Sequence, residues 1–88
     1  AVVEDQEQVD KLLEIRDQCP QLVRIWYDDP RGLRKYDAPG LASIDALLEA
    51  GRAFNARQPA FVQAEIDRAS PDDVAAMFFT SGTTGHPK

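Results

Sequence analysis

The nine residues 80–88 carry the side chains and the backbone freedom expected of a phosphate-binding loop, in the order Thr80-Ser81-Gly82-Thr83-Thr84-Gly85-His86-Pro87-Lys88. Two glycines let the backbone approach an anion and adopt positive φ, and consecutive N–H groups can form an anion-binding nest. Four hydroxyls add rotatable donors. The lysine adds a compact positive charge. This segment therefore predicts a site for a polyphosphate.

The element before this loop is the apolar run 74–79, Val-Ala-Ala-Met-Phe-Phe. Such a run predicts a buried strand. Open α/β sheets bind ligands beyond the carboxyl ends of their strands. We therefore expect a strand over 74–79 to present the loop at a sheet edge.

Other phosphate-binding motifs do not fit the chain. The Walker A pattern needs a Gly-Lys pair, whereas His86 and Pro87 separate Gly85 from Lys88. A Gly-x-Gly-x-x-Gly dinucleotide fingerprint is also absent from the sequence. The alternative without function is a surface linker rich in Ser, Thr, Gly and Pro, but a linker requires neither fixed glycines nor a lysine.

The string Thr-Ser-Gly-Thr-Thr-Gly-x-Pro-Lys resembles the AMP-binding motif of the adenylate-forming enzymes, and His86 falls at the variable position. Flanking similarity at 4–13, 25–33 and 70–74 resembles the bacterial long-chain fatty acyl-CoA synthetase branch. The alternatives are another adenylating branch, such as a peptide-synthetase adenylation domain, or a non-enzymatic α/β interaction module with a flexible tail.

The resemblance implies a ligase that joins a carboxylic acid, such as a fatty acid, to CoA through acyl-AMP, with ATP and Mg²⁺. It implies that the loop binds the phosphates of ATP through Thr80, Ser81, Gly82, Thr83, Thr84, Gly85 and Lys88. No catalytic residue and no metal ligand is assigned to this chain, because the other family motifs are expected downstream. We therefore expect residues 1–88 to be an internal fragment, part of a larger N-terminal AMP-binding domain and inactive alone.

Composition and charge narrow the class of protein further. The net charge of −5 and pI of about 4.6 argue against a nucleic-acid partner. The basic residues Arg31, Arg34 and Lys35 alternate with aspartates, which favours a solvated mixed-charge loop over a binding patch.

No apolar run reaches the length of a membrane span. The lone Cys19 excludes an internal disulfide. We expect a cytoplasmic parent enzyme, with peripheral association with a membrane as the alternative.

The first 40 residues predict a strand, a helix and a second strand. Residues 1–4 are strand-like, 5–18 are helical with Asp5 as the cap, and Pro20 ends the helix. Residues 22–27 form the next strand, which gives a βαβ unit with parallel strands. The loop 28–40 follows. Its Asp28-Asp29-Pro30 sequence favours a turn over a pair of catalytic carboxylates.

The remaining residues predict further helices before the final strand. Leu41-Ala42 is a short strand, and Ser43 caps a helix from Ile44 to Ala50 that Gly51 ends. Residues 52–58 are expected to be irregular, and 59–69 to be helical. The fold class is α/β, a partial doubly wound parallel sheet. Its uncovered edges predict marginal stability or self-association.

Overall fold

The structure, a computed structural model, describes residues 1–80. Its elements in chain order are β1 (Val2–Val3), α1 (Gln6–Ile15) with a 3₁₀ turn at Arg16–Gln18, β2 (Ile25–Tyr27), β3 (Leu41–Ser43), α2 (Ile44–Arg57) and α3 (Phe61–Arg68).

The strands form one parallel sheet in the order β1-β2-β3. Val2 pairs with Trp26, and Ile25 pairs with Leu41. The loop 28–40 crosses from β2 to β3, and its glycines Gly32 and Gly40 both have positive φ. These features confirm the predicted α/β class as a small parallel sheet with helices, which is consistent with part of a domain.

Helix α1 begins and ends as its sequence predicts. Oδ1 of Asp5 accepts a hydrogen bond from the Gln8 backbone N–H at 3.3 Å, which satisfies one of the unpaired donors of the first turn. The helix tightens into the 3₁₀ turn and ends at Gln18, two residues before Pro20. The helix therefore has its capping residue at one end and its terminating proline at the other.

The core lies where α1, β2 and the following loop meet. Its buried residues are Val9, Ile25 and Leu33. Half-buried side chains around them include Leu12 and Leu13 from the apolar stripe of α1. A loop residue, Leu33, therefore completes a core that the helix and the strand begin.

Helix α2 is longer than the sequence indicates. Ser43 caps it as predicted, with Oγ accepting from the Ala46 N–H at 3.4 Å. The predicted stop at Gly51 and the predicted irregular stretch 52–58 are wrong, because the helix continues to Arg57. Glycine costs a helix interior only about 1 kcal/mol, and Gly51 does not adopt the positive φ that ends a helix.

The apolar spacing in the sequence predicts that Ile44, Leu47 and Leu48 face inward, and in α2 this face is only partly formed. Ile44 and Leu47 are half-buried, but Leu48 is 49% exposed. The inward placement of Leu48 is therefore wrong. Every residue from 55 to 80 is exposed as well. The burial of α2 thus decreases along its length, away from the strand it follows.

Helix α3 agrees with the predicted helix 59–69 within two residues at its N-terminus and one at its C-terminus. Its narrow apolar face, Phe61, Val62 and Ile66, is exposed. The Phe61 ring meets the Phe54 ring of α2 edge to face, with the centroids 4.9 Å apart. This aromatic pair connects α3 to α2 rather than to the core.

The predicted buried strand over 74–79 is wrong for this structure. These residues are irregular and exposed, and Phe78 reaches 89% exposure. An apolar run becomes a buried strand only when a neighbouring strand satisfies its backbone and a layer covers its side chains. The described sheet consists of β1, β2 and β3, with β2 in the centre, and does not include 74–79.

Candidate functional site

The carboxyl ends of β1 and β2 lie side by side because the two strands are parallel. The Asp28 N–H donates to the Val3 carbonyl at 3.1 Å, and the Asp29 N–H donates to the Glu4 carbonyl at 2.7 Å. These bonds extend the pairing into the residues after each strand. The edge at which α/β proteins bind ligands is therefore held in register here.

Asp29 forms a turn with Arg31 immediately after β2. Its Oδ1 accepts from the Arg31 backbone N–H at 3.0 Å, and its Oδ2 accepts from Arg31 Nε at 2.8 Å. The side-chain bonds from Arg31, followed by the backbone bond, lower the pKa of Asp29 to about 2. The same pair raises the pKa of Arg31. The Asp29 carboxylate is thus bonded within a turn. This agrees with the sequence, which favours a turn here over catalytic carboxylates.

The loop 30–36 is attached to the core by a buried leucine and a bonded tyrosine. Leu33 is 4% exposed. The hydroxyl of Tyr36 donates to Oδ1 of Asp10 at 2.7 Å and accepts from Nε2 of Gln6 at 2.9 Å. Both partners lie on α1, so the loop is fixed against the helix at two points.

Gly32 is required where this loop meets α1. Its φ is +79°, and a Cβ atom there would overlap the side-chain amide of Gln6. Because only glycine takes this conformation easily, the close approach depends on the missing side chain. Gln6 thus supports the loop at Gly32 and at the Tyr36 hydroxyl.

An open groove of about 620 Å³ runs along this loop. Two arginines and two tyrosines, Arg31, Arg34, Tyr27 and Tyr36, line it with Gly32 between them. The arginines are exposed and the tyrosines are half-buried. The groove therefore combines cationic groups with aromatic walls.

The predicted phosphate loop lies almost entirely outside the described residues. Thr80 is described and is exposed in irregular chain. The other predicted site residues, Ser81, Gly82, Thr83, Thr84, Gly85 and Lys88, fall outside residues 1–80. Their roles remain predictions from the motif.

Tyr36 and the groove were not identified from the sequence. The pattern around Arg31 and Arg34 indicates a mixed-charge loop, and nothing local marks Tyr36 as the partner of a helix 26 residues earlier. The Pro30 and Gly32 turn signals could have indicated a shaped loop. Its contacts with Gln6 and Asp10 are long-range and need the structure.

Residues 1–80 contain neither a metal-binding cluster nor a membrane-spanning helix. Within that range, no group of three or more His, Cys, Asp or Glu side chains is placed to hold a metal ion. None of the helices in the same range has the length and apolarity to cross a lipid bilayer.

Comparison with known proteins decides the family. The sequence profile of the AMP-binding enzymes matches residues 1–88. The chain belongs to the AMP-binding enzyme family. One curated relative is a long-chain-fatty-acid–CoA ligase (ACSBG2) of Xenopus laevis, 33% identical over 88 residues. The match covers 99% of this chain and 11% of the relative.

This AMP-binding chain therefore spans about one-ninth of the length of that relative. No solved structure matches it. The family resemblance proposed from the residue string 80–88 is confirmed by the match over the whole chain.

Proposed function

We propose that this chain is part of an AMP-forming acyl-CoA ligase and supplies the segment that binds the polyphosphate of ATP. The observation that carries the proposal is the coincidence of two signals. The family match extends over all 88 residues, and the string 80–88 supplies glycines, hydroxyls and a lysine in the order of the family motif.

The reaction proceeds in two steps. A carboxylate attacks the α-phosphate of ATP, forming acyl-AMP and releasing pyrophosphate. The thiol of CoA then attacks the acyl carbon and displaces AMP. Negative charge accumulates on the departing pyrophosphate, so preorganised donors and a cation near it accelerate the first step.

The proposed contacts follow from the chemistry of each side chain. The hydroxyls of Thr80, Ser81, Thr83 and Thr84 donate to the β- and γ-phosphate oxygens. Gly82 and Gly85 bring backbone N–H groups close to the same oxygens. Lys88 pairs with the terminal phosphates as a point charge.

Mg²⁺ accompanies ATP in the proposed parent enzyme. The three-ligand clusters that hold a metal are absent from residues 1–80. We therefore assign no step to a metal held by this part of the chain.

The proposed class of substrate is taken from the curated relative. The ligase of Xenopus laevis carries long-chain fatty acids in its name, so a fatty acid is the proposed acid. A peptide-synthetase adenylation domain is the competing branch, because it shares the first half-reaction and differs in the acid it activates.

The proposed place of the chain is the N-terminal AMP-binding domain of a longer cytoplasmic enzyme. Two observations support a partial domain. The chain covers 11% of its relative, and residues 55–80 have no buried side chain. The groups that bind the acid, adenine and CoA lie elsewhere in that enzyme, so the chain alone has no ligase activity.

The exposed segment 74–79 also favours self-association of the isolated chain. Its residues Val74, Met77, Phe78 and Phe79 are 73–89% exposed, and exposed apolar runs promote association. Light scattering on the chain and on a Phe78→Lys/Phe79→Lys variant tests this. We expect the chain to show an apparent molar mass above that of a monomer, and the double variant to show a smaller mass than the unsubstituted chain. The proposal would be contradicted if the unsubstituted chain were monomeric, or if Val62→Lys lowered the apparent mass as much as the double variant does.

The function is tested in the longer polypeptide by comparing its two half-reactions. Lys88→Ala should slow acyl-AMP formation, by about 10²-fold if it removes one transition-state donor, and leave transfer from preformed acyl-AMP to CoA unchanged. Lys11→Ala is the control, because Lys11 is exposed and pairs with Glu7 at 2.8 Å. Equal losses in both half-reactions would contradict the assigned role of Lys88.

A further inference from the structure

The groove along loop 30–36 is a second site with the chemistry of anion recognition. We call it the arginine groove and define it by Tyr27, Arg31, Gly32, Arg34 and Tyr36. Its volume of about 620 Å³ lies within the roughly 300–1,000 Å³ typical of small-molecule pockets. It lies beside β2, and its lining within residues 1–80 comes from positions 27, 30–34 and 36.

The charge of the groove is opposite to that of the chain. The chain has a net charge of −5, yet the described residues that line the groove supply two guanidinium groups and no carboxylate. Two acids flank the loop in sequence: Asp29 is already bonded to Arg31 through Nε and the backbone N–H, and Asp37, which follows Tyr36, forms no ion pair within residues 1–80. The cations of Arg34 and of the neighbouring Lys35 therefore remain to attract an anion.

The donors of the groove are also available. Asp29 accepts from Nε and Nη2 of Arg31, and no hydrogen bond donated by Nη1 is found within the part of the chain described. The guanidinium of Arg34 has no ion pair among residues 1–80. Guanidinium groups bind phosphate through two parallel N–H bonds, which a lysine cannot reproduce.

The backbone that carries these arginines is held in place. Leu33 lies in the core between them, and the N–H groups of Leu33 and Tyr36 donate to the carbonyls of Pro30 and Leu33 at 3.1 and 3.0 Å. The Tyr36 hydroxyl connects the end of the loop to α1. A fixed loop loses little conformational entropy when it binds, and this raises its affinity.

We propose that the arginine groove binds the phosphate group of a small molecule, independently of the motif at 80–88. Arg34 supplies a bidentate contact, Arg31 supplies Nη1, and the half-buried rings of Tyr27 and Tyr36 provide the wall beside them. The phosphate can belong to a soluble phosphorylated compound or to a lipid headgroup. The chemistry is shared, so the test includes a probe for each source.

The first probe is inorganic pyrophosphate, titrated into the ¹⁵N-labelled chain and followed by NMR. We expect saturable shifts at residues 31–36. In Arg34→Ala, binding at these residues should be about ten-fold weaker, the loss expected when a charge-assisted hydrogen bond is removed. Arg34→Lys should recover only part of it. Arg52→Ala is the matched control, because Arg52 is exposed on α2 and pairs with Glu49.

The second probe is a vesicle of phosphatidylcholine with or without phosphatidic acid, used in a sedimentation assay. Binding that requires phosphatidic acid and is lost in Arg34→Ala identifies a lipid source. Shifts with pyrophosphate alone identify a soluble source. The proposal is overturned if neither probe acts at residues 31–36, or if Arg52→Ala weakens binding as much as Arg34→Ala.

The residue-resolved readout separates this proposal from the function proposed above. Shifts at 80–88 without shifts at 31–36 would remove the arginine groove and leave the phosphate loop. Dispersed amide signals for Val9 and Ile25, the fully buried residues of the core, show that each variant is folded. If Arg34→Ala loses them, Arg34→Gln takes its place, since it removes the charge and keeps a longer side chain.

Discussion

Residues 1–43 and residues 55–80 contain similar apolar side chains but bury them differently. In the first region Val9 and Ile25 are fully buried. In the second region, Ile66 and Phe78 are 59% and 89% exposed. Both regions have helices, so local structure does not explain the difference. The first region has paired strands for its helix to cover, and the second has none.

Helix formation and burial therefore depend on different interactions. Helix α3 forms from its own residues, yet its apolar face covers nothing in the core. Most of the stability of a helix in a protein comes from packing of its apolar face. The free energy of folding in residues 1–80 should therefore be concentrated in the first region.

The largest difference between the two regions is expected from a matched pair of isoleucine substitutions. Ile25→Ala removes a fully buried side chain and should lower the free energy of unfolding by about 2–5 kcal/mol. Ile66→Ala, on the exposed face of α3, should change it by less than about 0.5 kcal/mol. Urea unfolding followed by circular dichroism measures both. Similar losses would mean that α3 shares the core.

Two glycines offer a second test, with effects of opposite sign. Gly32→Ala should destabilise the chain by roughly 1–3 kcal/mol, because alanine is strained at φ +79° and overlaps Gln6. Gly51→Ala should stabilise it by up to about 1 kcal/mol, since Gly51 is helical and open space surrounds it. Thermal unfolding of both variants measures the signs. A stabilising Gly32→Ala would contradict the loop geometry.

A smaller effect is expected at the hydroxyl that links the loop to α1. Tyr36→Phe removes the bonds to Asp10 and Gln6 and should lower stability by about 1–2 kcal/mol. The control is Tyr27→Phe, whose hydroxyl makes no hydrogen bond within residues 1–80. It should be nearly neutral. Equal urea midpoints for the two variants would show that the link contributes nothing.

The smallest effect concerns pH. The pKa of Asp29 is lowered from 3.8 to about 2, so the ionised form is favoured in the folded chain. The Asp29–Arg31 pair therefore adds stability above about pH 4 and loses it as the pH falls towards 2. In Arg31→Ala the pKa of Asp29, followed by NMR at its carboxyl carbon, should rise towards its ordinary value, because the side-chain bonds are lost and only the backbone N–H bond remains. An unchanged pKa in that variant would exclude the Arg31 side chain as the cause, and Arg52→Ala is the control.

The sequence predicts the elements whose signals are local. Asp5 and Pro20 mark the two ends of the α1 region, and Ser43 marks the start of α2. The parallel βαβ unit follows from the order of these elements. Each signal depends on residues within a few positions of the feature, so no knowledge of the rest of the fold is needed.

The features that the sequence does not predict depend on distant residues. Gly51 lies inside α2 because no positive φ is required there. The segment 74–79 has a strand composition but no paired neighbour in the described sheet. The candidate phosphate loop is found from its order and spacing alone, whereas the arginine groove exists only because Leu33 and Tyr36 fix the loop against α1.

Ser43 is both the last residue of β3 and the cap of α2, so no linker separates the strand from the helix. The 14 residues of α2 span about 21 Å at 1.5 Å per residue. A tilt of about 10° at Ser43 would move the far end of α2 by roughly 4 Å over that length. Any change in the direction of α2 at Ser43 would therefore displace the start of α3 more than it displaces β3.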